Sequence, residues 1–366
     1  MKKARIWIGI VISAVALLLA FRRVNFGEVW AAILQVNYWL LIASLLPLLL
    51  FLLLRAFRWR LLFYPQQGLH VRNLLAVINI GYLVSNILPA RLGDVVRAYL
   101  IGDTEPVSRT AAFSTILAER VLDALSAVGG FFVALLVVSL AEPPLASLPG
   151  WMVRSGLIVG AAALVAILTF VILVRQREWT LRLMDRLLGA LHWPGHETMA
   201  RFWPRLARRT PLRFLSHLPW ADRADLERMA GSLIDGLSGI TTAHLGLPLL
   251  LWSLAIWTAI STYYWFVLLA FEADRPFVAA LAMTSVTALG MTVPSSPGYI
   301  GVFEILGRET MVLFGMEPGS ALSYALVAHA IVYVVYTLLG LVSMAQQNLS
   351  YAEIQKRISS EALTPS

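Results

Sequence analysis

No cysteine occurs among the 366 residues, which excludes a disulfide framework and any thiolate metal site. Lysine is almost as scarce. Lys2, Lys3 and Lys356 are the whole set, and none stands in a G-x-x-x-x-G-K-[ST] setting, so a P-loop is excluded. Any transport must therefore run downhill, on an ion gradient or through a coupled partner. His192 and His196 lie four apart, but Pro194 and Gly195 between them spoil the helix that a zinc pair needs. The sequence implies no metal and no cofactor. Charge of either sign is also low, at 14%, against about one quarter in soluble domains. What fills the space is apolar: 59% of the residues are hydrophobic. This composition describes an all-α polytopic membrane protein. The net charge of +8 is carried by arginines in the loops, where it sets topology rather than contacting nucleic acid.

A bilayer core about 30 Å thick needs about 20 helical residues. Six segments reach or approach that length: 6–20, 38–54, 112–140, 151–174, 246–270 and 321–345. The first has a signal-peptide flank in Lys2, Lys3 and Arg5 but no small-x-small cleavage site, and is read as a retained span. Two further apolar stretches, 74–90 and 277–293, end in breaks, ILPARLG and TVPSSPG. Positive-inside counting puts both termini in the cytoplasm of a cell whose inner membrane holds the chain. Arg55, Arg58, Arg60 and Arg72 mark the inner end of the second span, and the segment 175–228, with eleven Arg against six acidic residues, is also inside. The loop AEPPLASLPG has no basic residue and belongs outside, as do Glu272, Asp274 and Arg275.

These assignments coexist only if 74–109 enters and leaves from the cytoplasm and 277–319 from the outer face. The expected architecture is six full transmembrane helices plus two broken, re-entrant hairpins of opposite sense in an inverted repeat, with substrate near the midplane. The boundaries are 1–174 for the first membrane half, 175–244 for a basic linker with interfacial helices at 178–193 and 220–237, 245–345 for the second half, and 346–366 for a cytoplasmic tail. No soluble catalytic domain is visible.

Irregular backbone at membrane depth is tolerated only where protein or water covers it, so the two breaks should line a cavity. Pro89 stops a helix, Gly93 permits an unusual turn, and Asp94 can cap the helix that follows. With Arg91 and Arg97 beside that helix start, the geometry suits a phosphate. In the second half Pro294 repeats the Pro-x-x-x-Gly spacing with Gly298. Ser296 and Pro297 read as N-cap and first helical residue, Ser295 adds a hydroxyl, and Gly301 leaves room for close approach. Glu304 and Arg308 lie four apart and can pair.

Glu119, Arg120 and Asp123 head the third long apolar segment. Each charge costs about 2.5 to 3.5 kcal/mol at a bilayer centre, more together than ten downstream apolar side chains return, so they cannot face lipid. Glu119 and Asp123 share a helical face, which makes a carboxylate pair coupled to Arg91 or Arg97, or a staple to Arg120. His329 is an ionisable group in the last span, among tyrosines; whether it takes part in proton coupling with Glu304 stays open at this level. Gly156 and Gly160 mark close helix packing.

The order N-x-L-P-A-R-x-G-D-x-x-R (Asn86 to Arg97), S-x-x-x-A-E-R-x-x-D (Ser114 to Asp123) and P-S-S-P-G-Y-x-G-x-x-E (Pro294 to Glu304), preceded by R-x-x-R-W at Arg55 to Trp59, resembles the lysylphosphatidylglycerol synthase transmembrane region, a flippase-like integral membrane family. The likeness runs from about residue 5 to 345. It implies a flippase for a lipid such as aminoacylated phosphatidylglycerol, or a companion of glycosyltransferases and polyprenyl-lipid pathways, and without the cytosolic aminoacyl-transfer domain it does not imply lysyl transfer. The favoured expectation is a lipid flippase or scramblase acting on an anionic phospholipid or polyprenyl-linked lipid. The alternative is a membrane enzyme or accessory subunit at the inner leaflet, with Glu119 and Asp123 as general acid and base, a separate synthase or glycosyltransferase as partner, or an oligomer.

Overall fold

Three of the long helices begin where a side chain satisfies free amides of the first turn. Asn37 accepts from the Trp39 and Leu40 amides at 3.1 and 3.3 Å, Ser108 from Ala111 at 3.1 Å, and Glu317 from Gly319 and Ser320 at 2.8 and 3.0 Å. The computed structural model describes residues 26–66, 68–88, 92–141, 165, 169, 172, 176–190, 243–292 and 296–347. In chain order the helices are α1 Phe26–Leu34, α2 Tyr38–Leu62, α3 Val71–Ile87, α4 Leu92–Thr104, α5 Arg109–Leu140, α6 Arg177–Ala190, α7 Ala243–Ala270, α8 Phe277–Gly290, α9 Val302–Leu313 and α10 Pro318–Gln346, with a 3-10 turn at Pro297–Tyr299. No strand occurs among the described residues.

Four of the helices are long and apolar enough to cross a membrane: Tyr38–Leu62, Ala111–Leu140, Leu245–Ala270 and Pro318–Gln346. They match four of the six expected spans. The segments 6–20 and, apart from single helical positions 165, 169 and 172, 151–174 lie outside the described residues, as do the helix expected at 220–237 and nearly all of the tail. A helix is present as α6 over most of the expected 178–193, of which 191–193 lie outside the described residues. Helix α1 is an element the apolar runs did not reveal; its Ile33 packs with Ile305, Leu322 and Leu326. Outward faces are greasy, with Ile42, Leu46 and Leu50 of α2, Leu247, Leu251 and Leu254 of α7, and Leu338 and Leu341 of α10 all exposed. The core runs through Leu48, Leu52 and Trp59, Leu74, Ile78 and Ile80, Ile116, Tyr263 and Tyr324.

Helices α3 and α8 are the two short apolar ones, at 17 and 14 residues, or about 25 and 21 Å of rise, less than the roughly 30 Å hydrocarbon thickness. Each folds back on its successor. Gly93 of α4 lies so close to Gly81 of α3 that a Cβ there would run into the Gly81 carbonyl and Ser85. At the open end of this hairpin the Glu105 carboxylate accepts from Asn73 Nδ2 at 2.7 Å and from the His70 amide at 3.2 Å. In the second hairpin α8 packs on α9, and Arg275, just before α8, donates to the carbonyl of Gly315, just after α9, at 2.6 Å.

Helices α2 and α7 pack antiparallel: the Asn37 amide donates to Ala270 O at 2.9 Å, and Arg58 Nη1 to Ser253 Oγ at 3.0 Å. The start of α2 therefore meets the end of α7, and the two hairpins open toward opposite ends of the bundle. Several further contacts come in matching pairs. Helix α3 packs on α10 as α8 packs on α5, and α4 packs on α5 as α9 packs on α10.

Candidate functional site

The C-terminal half of α2 carries a buried stripe at Leu48, Phe51, Leu52, Arg55, Arg58, Trp59 and Leu62, while Leu53, Phe57 and Arg60 face out. Two guanidinium groups thus enter the core on an apolar helix, and what they meet is the head of α5. Arg55 pairs with Glu119 and, at 3.0 Å, with Asp123. Arg58, fully buried, reaches Asp123 at 2.5 Å. From α4, Arg97 pairs with Glu119 at 2.7 Å and lies 4.3 Å over the Trp59 ring, a stacked cation of the kind that arginine's flat head allows. Asp94 takes Arg120 through two bonds of 2.5 and 3.0 Å and stands 3.7 Å from Arg97. Trp59 is fixed in turn by its Nε1 bond to Thr115 at 3.0 Å.

Counted together, Arg55, Arg58, Arg97 and Arg120 face Asp94, Glu119 and Asp123, so the cluster holds four positive charges against three negative ones. Buried charges are tolerated when paired, and the net surplus of one positive charge invites an anion. The Nε atoms of Arg55 and Arg97 have no hydrogen-bond partner within the described protein. Arg55, Arg97, Arg120, Asp94 and Asp123 open onto a cavity of about 420 Å³. Its opposite wall is aromatic, with Tyr264 and Trp257 of α7, Tyr299 and Phe303 of the second break, and His329, Tyr333 and Tyr336 of α10. Tyr82 stacks on Tyr336 at 4.3 Å and joins the two sides.

The second break also holds a pair. Glu304 Oε1 lies 2.6 Å from His329 Nδ1, its Oε2 accepts the Gly301 amide at 2.6 Å, and the Phe303 ring stacks on the imidazole at 4.4 Å. The expected Glu304–Arg308 pair does not form. Arg308 pairs with Glu309 at 2.6 Å and does not line the cavity. A partner on a packed neighbouring helix has displaced the one four residues along.

The remaining sequence expectations divide as follows. Asp94 is not the cap of α4: it sits in the first turn with its carboxylate committed to Arg120. Ser296 and Pro297 do stand as N-cap and first residue, but of a 3-10 turn, and the Ser296 side chain makes no cap bond. Its hydroxyl donates to Ile300 O at 3.1 Å, and only a 3-10 turn follows. The helix proper starts at Val302, because Gly298, Tyr299 and Gly301 adopt left-handed angles, φ of 67, 59 and 94°, which no α-helix accommodates. Gly298 lines the cavity. Pro89, Arg91, Pro294 and Ser295 lie outside the described residues. Arg55 and Arg58 were read as topology markers, whereas they anchor the cluster; the signal available was their place in the buried stripe.

Residues 6–340 match the family described as the lysylphosphatidylglycerol synthase transmembrane region. The chain belongs to that family. With four apolar helices of spanning length, this family member is a multi-pass membrane protein of a lipid-related family. It is also similar to a protein named glycosyltransferase AglD from Haloferax volcanii, 26% identical over 311 residues, or 78% of this chain and 47% of the relative. The chain thus spans about half the length of that curated relative. No solved structure matches it.

Proposed function

We propose that this chain is a flippase or scramblase that moves an anionic, phosphate-bearing phospholipid or polyprenyl-linked lipid across the cytoplasmic membrane, with both termini inside. The observation that carries the reading is a surplus of guanidinium charge on the wall of a cavity of about 420 Å³ inside a body of apolar helices. Charge is costly at that depth unless it has a function or a partner. The headgroup phosphate sits against Arg55, Arg97 and Arg120, and the tails stay in the bilayer outside the lining helices.

The antiparallel packing of α2 on α7 and the matching helix contacts support an inverted repeat. A two-fold axis that exchanges antiparallel helices must run across them, so the hairpins dip in from opposite leaflets and the halves can alternate access. The test is flipping of tail-labelled fluorescent phosphatidylglycerol in phosphatidylcholine vesicles, followed by chemical quenching of the outer leaflet. Arg97→Gln and Arg120→Gln should each slow flipping at least about tenfold, the loss of one charge-assisted contact, while Arg60→Gln, on the exposed face of α2, keeps the parent rate. Parent rates in folded Arg97→Gln and Arg120→Gln protein would remove the assigned site.

A second reading draws on the name of the Haloferax volcanii relative: a membrane part of, or partner to, a lipid-modifying enzyme at the inner leaflet. Glu119 and Asp123 are already engaged by Arg55, Arg58 and Arg97, which favours transport over their acting as free acid and base. Headgroup modification by the purified chain would reverse that preference.

A further inference from the structure

The two halves place a polar pair at corresponding positions, and the pairs differ in one chemical respect. In the first half, the broken hairpin's α4 supplies Arg97 and the following α5 supplies Glu119. In the second, the hairpin's α9 supplies Glu304 and the following α10 supplies His329. Glu119 stands ten residues after Arg109 and His329 eleven after Pro318, so each lies a similar distance along its helix. An arginine never releases its proton in a protein, so the first pair is permanently charged. In the second pair both members, a carboxylate and an imidazole, are groups that can gain or lose a proton.

Resting on the flippase reading above, we infer that Glu304 and His329 form a proton-binding site which loads one proton together with the anionic headgroup, so that transport is proton symport. Three features of the geometry favour a proton over a metal cation. Both Glu304 oxygens are engaged by nitrogen, Oε1 by His329 Nδ1 and Oε2 by the Gly301 N–H, each at 2.6 Å, so the carboxylate already faces two nitrogens rather than the oxygen ligands a sodium ion takes. No cluster of three metal-ligating residues occurs among the described residues. Phe303 covers one face of the imidazole.

Among the described residues, the titratable surroundings of the pair are otherwise uncharged on its own side. Helix α7 contributes Tyr263 and Tyr264, α3 contributes Tyr82, the 3-10 turn contributes Tyr299, and α10 itself Tyr324, Tyr333 and Tyr336; α8 presents threonines, Thr284 and Thr287. On α9, Arg308 is turned to Glu309. The formal charges facing the pair come from across the cavity: Arg55, Arg97 and Arg120 with Asp94 and Asp123. A proton on the pair adds positive charge to the same cavity that holds the phosphate, so proton and anion each favour the other's binding, and linkage makes the effect reciprocal. The proton comes from water on one side, is held on the carboxylate–imidazole pair, and leaves to water on the other when the cavity turns; only N–H and O–H bonds form and break. Carriage of one proton with a singly charged lipid is electrically neutral.

Tail-labelled phosphatidylglycerol in phosphatidylcholine vesicles holding the full chain tests this directly. Across a gradient of about one pH unit, one proton per lipid sets a steady leaflet ratio of about tenfold, with the probe concentrated on the alkaline side. Glu304→Gln and His329→Gln should bring that ratio to near one, while Glu309→Gln, an exposed carboxylate on the same helix, keeps it. A wild-type protein that flips the probe but leaves it evenly divided, gathers it on the acid side, or follows a sodium gradient instead overturns the symport and leaves the flippase reading standing. A wild-type protein that does not move the probe sinks the flippase reading, and infrared difference spectra of the reconstituted protein between about pH 5 and pH 8 then decide the proton site. A carboxyl or imidazole band that vanishes in Glu304→Gln and His329→Gln supports it, and no such band overturns it.

Discussion

Arg58 has no surface, either to solvent or to the cavity, yet it carries one of the four positive charges of the cluster. Its bonds to Asp123 and to Ser253 tie α2 to α5 and α7 at once. Removing one member of a buried ion pair costs about 3 to 5 kcal/mol, because the partner is left uncompensated, whereas replacing both members by groups of similar volume is often close to neutral. Asp123 keeps Arg55 at 3.0 Å when Arg58 is lost, so Arg58→Met should lower the unfolding free energy by less than that, about 2 kcal/mol, and the double change Arg58→Met with Asp123→Asn should cost less than the two single changes added together. Thermal unfolding of the two single variants and the double variant in nanodiscs checks the coupling; strictly additive losses would place the role of Arg58 elsewhere. That arginine was open to a different reading in the sequence because it stands near the end of an apolar run, where positive charge ordinarily marks the cytoplasmic face. Its burial depends on a helix that continues to Leu62 and keeps positions 55, 58 and 59 turned inward. Glu304 was harder to read still. Its nearest cation along the chain is Arg308, and only tertiary packing of α9 on α10 brings His329 nearer.

At the scale of elements, long apolar runs were legible and so were the two interruptions, since proline and glycine act locally on the backbone. What followed each interruption was not. Helix α9 begins at Val302, because left-handed angles must first turn the chain, and α1 is missed by a search for spanning runs because its nine residues fall far short of the length that crosses a bilayer. The closeness of the two arms of the first hairpin is likewise a matter of one residue. A methyl group at Gly93 would strike the Gly81 carbonyl and Ser85, and backbone cannot give way as a flexible side chain can. Gly93→Ala should cost about 3 kcal/mol, the upper range for overpacking, and should separate α4 from α3, drawing Arg97 away from Glu119. Gly129→Ala, in α5, meets nothing within 4 Å and should be neutral or stabilising by about 0.5 to 1 kcal/mol. Limited proteolysis at the loop after Ile87, together with unfolding temperature, distinguishes the two: increased cutting is expected in Gly93→Ala alone.

For the whole molecule the decisive quantity is direction. The open end of the α3–α4 hairpin lies with the end of α2 and the start of α5, where Gln66 bonds to the Pro106 carbonyl. The open end of the α8–α9 hairpin lies with the end of α7, which meets the start of α2. On the proposed flippase reading, two hairpins opening to opposite ends would let the central cavity be reached from either side in turn, the requirement for moving a headgroup while its tails stay in lipid. The absence of cysteine makes the arrangement simple to test, since no native thiol needs removal. Asp274→Cys and Gln66→Cys place single thiols at exposed positions beside the two open ends. A membrane-impermeant maleimide applied to intact cells should label Asp274→Cys at once and Gln66→Cys only after permeabilisation, because arginines concentrate on the Gln66 side and positive loops stay in the cytoplasm. Labelling of both positions from the same side would put the hairpins in one leaflet, break the proposed inversion of the two halves, and leave the guanidinium cavity with a single mouth.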